Sequence, residues 1–129
     1  MIIDARVEKV GGPNTNNIML ICRASEAGWY EFIMTSGGLW EAYRFNGNDS
    51  TWDLLGNGGS TAINTQFSAN DLTLSCVGNT QTFYINGTQV AQFRDTRFSE
   101  GFIGVGTGAT MYENPEVEID WVYVTWPGP

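Results

Sequence analysis

The chain has no histidine among its 129 residues. This absence excludes a Ser-His-Asp triad, a Cys-His dyad and any zinc site that uses histidine. The two cysteines are too few to build a structural zinc site by themselves. Carboxylates therefore remain as the groups for catalysis, and a metal ion would need oxygen ligands, as calcium does.

Basic residues are also scarce, since six Lys and Arg stand against 14 Asp and Glu and give a net charge of −8. A phosphate backbone is bound by a basic face, so this balance argues against nucleic acid as a partner, and it disfavours anionic lipid surfaces too. No apolar run approaches the length of a membrane span. We therefore expect no nucleic-acid partner and no membrane insertion.

The N-terminal segment MIIDARVEKVGG lacks the long apolar stretch of a signal peptide. Two hypotheses fit this observation. The chain is either a cytosolic protein or one domain of a longer exported protein, and the residues alone leave both open.

No helical period holds over a long stretch, whereas 16 glycines and five Trp, five Tyr and seven Phe are typical of an all-β protein. Short alternating or apolar runs recur between segments such as TSGG and GNGGST, which favour turns. They predict ten strands, at 2–10, 18–24, 29–35, 39–45, 51–55, 71–77, 82–86, 88–94, 101–107 and 116–125. We therefore expect a single domain over 1–129, folded as a two-sheet antiparallel β-sandwich of the jelly-roll kind.

Both cysteines lie in phase with apolar residues of their predicted strands. Side chains alternate between the faces of a strand, so Cys76 shares a face with Leu74, and Cys22 shares a face with Leu20. The pair Asn86-Gly87 predicts a type I′ hairpin close to Cys76. Two alternatives stay open for the cysteines, namely buried free thiols or a disulfide.

Three segments together resemble a known family: IMLICRASEAGWYEFIMTSGGLWEAYRF, NDLTLSCVGNTQTFYINGTQVAQFRDTRFSEGFIGVGTG and VEIDWVYV. They look like the concanavalin A-like (LamG-like) jelly-roll domains of exported bacterial proteins, which are related to the 3-keto-disaccharide hydrolase or family-sixteen-like glycoside hydrolase domain. The resemblance covers nearly the whole chain. It implies a Cys22–Cys76 disulfide and a location outside the cell or at its surface. Relatives carry further upstream strands, so it also implies either a trimmed domain or an open edge that another chain covers.

Aromatic residues are concentrated between positions 29 and 52, beside charged residues. A sugar site needs flat aromatic faces for stacking, with carboxylates and Arg for the hydroxyls. We expect non-catalytic, lectin-like binding of a polysaccharide or glycan, on the sheet face opposite Cys22. The predicted site residues are Trp29, Trp40, Tyr43 and Trp52 for stacking, with Arg23 and Glu31 for polar contacts. The alternative for each aromatic residue is a place in the core or at an edge of the sandwich.

Two further functions stay open. Exposed strand edges suit a structural subunit of a surface layer or filament, formed by self-association or with neighbouring domains. In EVEID, Glu116, Glu118 and Asp120 share a strand face, which suits the carboxylate pair of a glycoside hydrolase, although the E-x-D-x-x-E spacing of family-sixteen enzymes is absent. No cofactor is expected, although a structural calcium stays open as an alternative, for which the candidate ligands are Asp4, Asp49, Asp53, Asp95 and Glu100.

Overall fold

The computed structural model describes residues 1–11, 17–108 and 116–125. Over these ranges the chain forms ten strands and no helix, and hence no helix long and apolar enough to cross a membrane. The strands are β1 (Ile2–Gly11), β2 (Asn17–Ser25), β3 (Gly28–Thr35), β4 (Leu39–Asn46), β5 (Thr51–Gly59), β6 (Ala69–Val77), β7 (Thr80–Ile85), β8 (Thr88–Arg94), β9 (Phe102–Gly108) and β10 (Glu116–Thr125). Each overlaps one of the ten predicted strands.

The strands pair into two five-stranded sheets. The first sheet has the order β10-β1-β6-β7-β8, and the second sheet has the order β5-β4-β3-β2-β9. Every pairing within the two sheets is antiparallel. The predicted all-β, two-sheet sandwich is therefore confirmed.

The core lies between the inner faces of the two sheets. Alternate residues of β1, β2 and β6 are buried, as the two-residue period of a strand requires. Phe32 of β3 packs against Phe83 of β7 across the sandwich, with ring centroids 5.5 Å apart. Burial of one such side chain contributes about 1.5–3 kcal/mol. This core fixes which face of each strand points outward, and so which side chains are free to meet a ligand.

A disulfide joins Cys22 of β2 to Cys76 of β6, and so links the two sheets. Both cysteines are buried in the core. The pairing implied by the family resemblance is confirmed. The bridge closes a loop with a sequence separation of 54 residues, which corresponds to about 4 kcal/mol of stabilisation in the chain-entropy treatment.

The turn between β7 and β8 has the predicted conformation. Asn86 has φ 49° and Gly87 has φ 81°, as a type I′ turn requires at both central positions. The Asn86 side chain also accepts a hydrogen bond from the backbone N–H of Asp71 at 2.8 Å and donates one to the carbonyl of Ala62 at 2.8 Å. These bonds tie the hairpin to β6 and to the loop before it.

Strand β5 is longer than predicted, because it runs to Gly59 whereas we expected it to end at residue 55 and the GNGGST segment to form a turn. The glycines stay in the strand because they leave room for a large neighbour. A Cβ on Gly58 would lie 3.1 Å from Nε1 of Trp40, which is tighter than ordinary packing allows. The turn predicted from the composition of this segment was therefore wrong, because the close contact with the Trp40 ring accounts for Gly58.

The sandwich is open along the side where β9 and β10 form the edges of the two sheets. Val122 and Val124 of β10 pair with core residues of β1 and so face inward, yet both are exposed. Phe102 at the start of β9 is 80% exposed. A cleft of about 940 Å³ lies here, and its lining includes Met1, Phe102 and Val124.

Candidate functional site

Four of the six predicted site residues lie on the outer face of the second sheet. The register places Tyr43 opposite Glu31 and Phe45 opposite Trp29 between β3 and β4, and Trp52 of β5 opposite Phe45. The residues that alternate with them, such as Tyr30, Phe32 and Ala42, are buried in the core, so these side chains point outward. Strand register thus brings Trp29, Glu31, Tyr43 and Trp52 together, on the face opposite Cys22 as expected.

The rings of Trp29, Tyr43, Phe45 and Trp52 form one contiguous group, which we call the aromatic platform. The ring centroids of Trp29 and Phe45 are 4.4 Å apart, and those of Phe45 and Trp52 are 4.6 Å apart. Trp52 also meets Tyr43 edge-on at 5.8 Å. Trp52 is 48% exposed, so part of its ring is available to a ligand.

Two carboxylates border the platform. Glu31 is only 8% exposed and accepts a hydrogen bond from Nε1 of Trp29 at 3.3 Å. Burial raises the pKa of Glu31, and the bond from Trp29 opposes this only in part. The hydroxyl of Tyr43 donates a hydrogen bond to Oε2 of Glu41 at 2.7 Å, and this bond, followed by burial, raises the pKa of Tyr43.

Phe45 and Glu41 lie on this face but are not among the six predicted site residues. Both lie two positions from Tyr43 in β4, so the same alternation that placed Tyr43 on the outer face also placed them there. The signal was present in LWEAYRFN. The two-residue period over the whole strand places residues 41, 43 and 45 on one face.

Arg23 does not lie on the outer face, so the expected placement is wrong. It has φ 53° and interrupts the register of β2 with both β3 and β9, which makes a bulge that breaks the alternation. Its side chain turns inward, where its guanidinium donates hydrogen bonds to the carbonyls of Phe98 at 3.0 Å and Cys76 at 3.2 Å. Arg23 is 9% exposed and holds the backbone beside the disulfide.

Trp40 is also absent from the aromatic platform. It pairs with the fully buried Met34 of β3 and packs against the core from the inner side of β4. Its ring covers Gly58, where the missing side chain makes space. The structure thus bears out the alternative for Trp40, which was a place in the core.

Two of the candidate calcium ligands, Asp53 and Asp95, are brought together by a cation and not by a metal. Arg44 pairs with Oδ2 of Asp53 at 2.7 Å and with Asp95. Tyr30 donates its hydroxyl to Asp95; burial, followed by this bond, raises the pKa of Tyr30 to about 12. Among the described residues, no group of three or more carboxylates or cysteines lies close enough together to hold a metal ion. The alternative of a structural calcium therefore has no set of ligands in the described part of the chain.

The acidic residues of the last strand lie away from the aromatic platform, on the edge strand of the other sheet. Glu118 and Asp120 are exposed, and Nε of Arg6 lies 3.6 Å from Oδ2 of Asp120. The side chain of Glu116 lies outside the described residues. Neither Glu118 nor Asp120 lines the cleft of about 940 Å³ or the smaller cleft beside Arg23 and Phe98, so these clefts lend no support to a hydrolytic pair here.

A second, smaller aromatic pair also escaped the sequence reasoning. Trp121 and Tyr123 of β10 have ring centroids 5.0 Å apart. They pair with Arg6 and Asp4 of β1, which places them on the outer face of the first sheet. Tyr123 is 64% exposed. This pair provides an internal comparison for any test of the aromatic platform.

No model of a known protein family matches the chain, and no curated protein matches it either. Solved structures do. The carbohydrate-binding module CBM66 from Bacillus subtilis has a TM-score of 0.74 and 16% identity, over 94% of this chain and 71% of that chain. Sheep galectin-11, in complex with glycerol, has a TM-score of 0.71 and 11% identity, over 95% of this chain and 86% of that chain.

The fold is a jelly-roll β-sandwich. At these levels of identity the likeness establishes the fold and leaves the function to be argued from the site. The relation to 3-keto-disaccharide hydrolases that the sequence motifs implied stays a prediction.

Proposed function

We propose that this chain is a non-catalytic carbohydrate-binding module and that the aromatic platform is its binding face. One observation carries the proposal: strand register gathers four aromatic rings and two carboxylates on a single outward face of the second sheet. Aromatic rings present flat apolar surfaces to the C–H faces of sugars. Carboxylates accept hydrogen bonds from the hydroxyl groups at the rim of the same sugar ring.

Trp52 is the principal stacking residue of the proposed site. About half of its surface is exposed, while its contacts with Phe45 and Tyr43 hold the ring in one orientation. A ring fixed before binding loses little conformational entropy when the ligand arrives. Glu31 and Glu41 lie on the two strands beyond Trp52 and supply the polar contacts.

The solved structures that share the fold support this proposal, because one is a carbohydrate-binding module and the other is a galectin. The disulfide supports a location outside the cytoplasm, since such bonds persist in oxidising compartments. We therefore place the module outside the cell or at its surface, with a polysaccharide or glycan as its partner.

A glycan array, followed by titration of the best ligand, tests the proposal. Trp52→Ala removes the exposed stacking surface, and we expect its affinity to fall at least tenfold, or about 1.4 kcal/mol. Tyr123→Ala is the matched control, because it removes an exposed ring from the outer face of the other sheet. Loss of binding in Tyr123→Ala with retention in Trp52→Ala would overturn the choice of face.

A second candidate function is assembly of copies through the open edge formed by β9 and β10. The favouring observation is that inward-facing apolar residues of β10 are exposed there and that Phe102 protrudes beside them. Strand β9, FIGVGTG, carries no charged residue, although charge on an edge strand is a common guard against pairing with another chain. A second copy that paired along β9 would cover the exposed valines of β10.

Light scattering after gel filtration, over a range of concentrations, tests this second function. Assembly predicts a mass that rises with concentration and that falls to the monomer in Phe102→Ser. Phe67→Ser is the control, since Phe67 is comparably exposed but lies in the loop before β6, which is a strand of the other sheet. A monomer at all concentrations would rule out self-association through this edge.

A further inference from the structure

The outer face of the second sheet carries negative charge only. Its charged side chains among the described residues are Glu31 and Glu41, which alternate with buried residues of β3 and β4. The six basic residues of the chain lie elsewhere, in the other sheet, in the core, on the inner side of β4 or in the loop after β8. They are Arg6, Lys9, Arg23, Arg44, Arg94 and Arg97.

Glu31 is the more informative of the two acids because it is buried without a cation. Within the described part of the chain its carboxylate accepts one side-chain hydrogen bond, from Nε1 of Trp29 to Oε1, and forms no ion pair. The enclosed side-chain oxygens without a hydrogen-bond partner are those of Ser36 and Gln81. Oε2 of Glu31 is not one of them, so this oxygen is not enclosed and reaches the surface. A buried carboxylate with one oxygen open to the outer face is placed to receive a donor from a ligand.

Glu41 lies within reach of the same ligand. Tyr43 is directly opposite Glu31 on the neighbouring strand, and Glu41 is two residues from Tyr43 on the same face. Diagonal neighbours of this kind are separated by about 7–8 Å, a distance that one sugar unit and its substituents span. The bond from Tyr43 to Glu41 orients the second carboxylate toward this space.

The aromatic rings add to the same preference. The face of an aromatic ring carries negative charge density and attracts a cation placed above it. A ligand with an ammonium group therefore gains from the two carboxylates and from the rings of the platform. A ligand with carboxylate, sulfate or phosphate groups meets repulsion at each of these contacts, with no basic side chain on this face to offset it.

We propose that the aromatic platform, together with Glu31 and Glu41, selects sugars that carry a protonated amino group over neutral sugars and excludes acidic ones. This inference rests on the proposed function, since it names the substrate class of the same site. The rings provide stacking that any sugar shares. The carboxylates provide the discrimination.

Calorimetric titration with three oligosaccharides of equal length tests the inference, namely a fully deacetylated glucosamine oligomer, its N-acetylated counterpart and an oligogalacturonate. At about 0.15 M salt, long-range attraction by the net charge is screened beyond roughly 8 Å. We expect the amino oligomer to bind about tenfold more tightly than the neutral one, and the acidic one not to bind. Glu31→Gln and Glu41→Gln should each reduce that preference, because the loss of a negative charge weakens binding of the amino oligomer more than binding of the neutral one.

Glu118→Gln is the matched control, because it removes the same charge from an exposed residue of the other sheet. If it lowers binding of the amino oligomer as much as Glu31→Gln does, the attraction is non-specific and the inference is wrong. Equal affinity for amino and neutral oligomers, with both lost in Trp52→Ala, would also overturn the inference while the proposed function stands. Failure of every sugar on the array and in this titration to bind would overturn both.

Discussion

Replacement of Arg23 separates a structural role from a role in binding. In Arg23→Ala the two hydrogen bonds to the carbonyls of Phe98 and Cys76 are lost, and a hydrogen bond from a charged donor contributes about 1.5–3 kcal/mol. The sum is about 3–6 kcal/mol. Arg23 borders the open cleft, so water can reach the released carbonyls, and we expect the lower end, about 3 kcal/mol.

Arg23→Gly provides the internal check on this magnitude. Residue 23 has φ 53°, a left-handed conformation that costs an L-residue roughly 1–2 kcal/mol and costs glycine little. Arg23→Gly should therefore be more stable than Arg23→Ala by about 1 kcal/mol, although its side chain is smaller.

The assay is urea unfolding followed by tryptophan fluorescence, with the disulfide intact. Binding of the best glycan is measured on the same samples, and it should match that of the unmodified chain in both variants. The account of Arg23 fails if Arg23→Ala unfolds within about 0.5 kcal/mol of the unmodified chain. It also fails if glycan binding falls while stability is unchanged.

Three further variants address the bridge, the core and the buried acid. Replacement of Cys22 and Cys76 together by Ala should lower the free energy of unfolding by about 4 kcal/mol, measured in urea against the oxidised chain. Trp40→Ala should cost about 2–3 kcal/mol, less than a fully buried tryptophan because the ring is half-buried, and should leave glycan affinity unchanged. Burial raises the pKa of Glu31 above 4.5, so the folded state binds the proton more tightly than the unfolded state does. The free energy of unfolding therefore falls as the pH rises from 4.5 through the raised pKa. Glu31→Gln removes this loss, and its stability advantage over the unmodified chain should grow over the same pH range in parallel urea titrations.

Most of the fold was predictable because its signals are local. Alternation of apolar residues fixed the strands and placed Cys22 and Cys76 on inner faces, and the positive φ values that Asn86-Gly87 tolerates fixed the hairpin. The outward placement of Trp29, Glu31, Tyr43 and Trp52 follows from the same two-residue period. Their placement could be predicted without long-range information, apart from the knowledge that the opposite face of each strand is buried.

The two misplaced residues, Arg23 and Trp40, have different physical explanations. The bulge at Arg23 moves one side chain from the outer face to the interior, and a single-residue interruption leaves no mark in apolar alternation. Trp40 lies three positions from Tyr43 in β4, so the two-residue period itself places it on the inner face, where Gly58 of the neighbouring strand leaves its ring space.

The most direct test of the binding face is an NMR titration that follows the indole N–H resonances during addition of the best glycan. Trp29 and Trp52 of the aromatic platform should shift in a saturable manner, with the same affinity as the calorimetric titration. Trp40, which packs in the core, and Trp121, on the other sheet, should not shift. A saturable shift of Trp121 with Trp29 and Trp52 unmoved would contradict the account, because it would place the ligand on the opposite side of the sandwich.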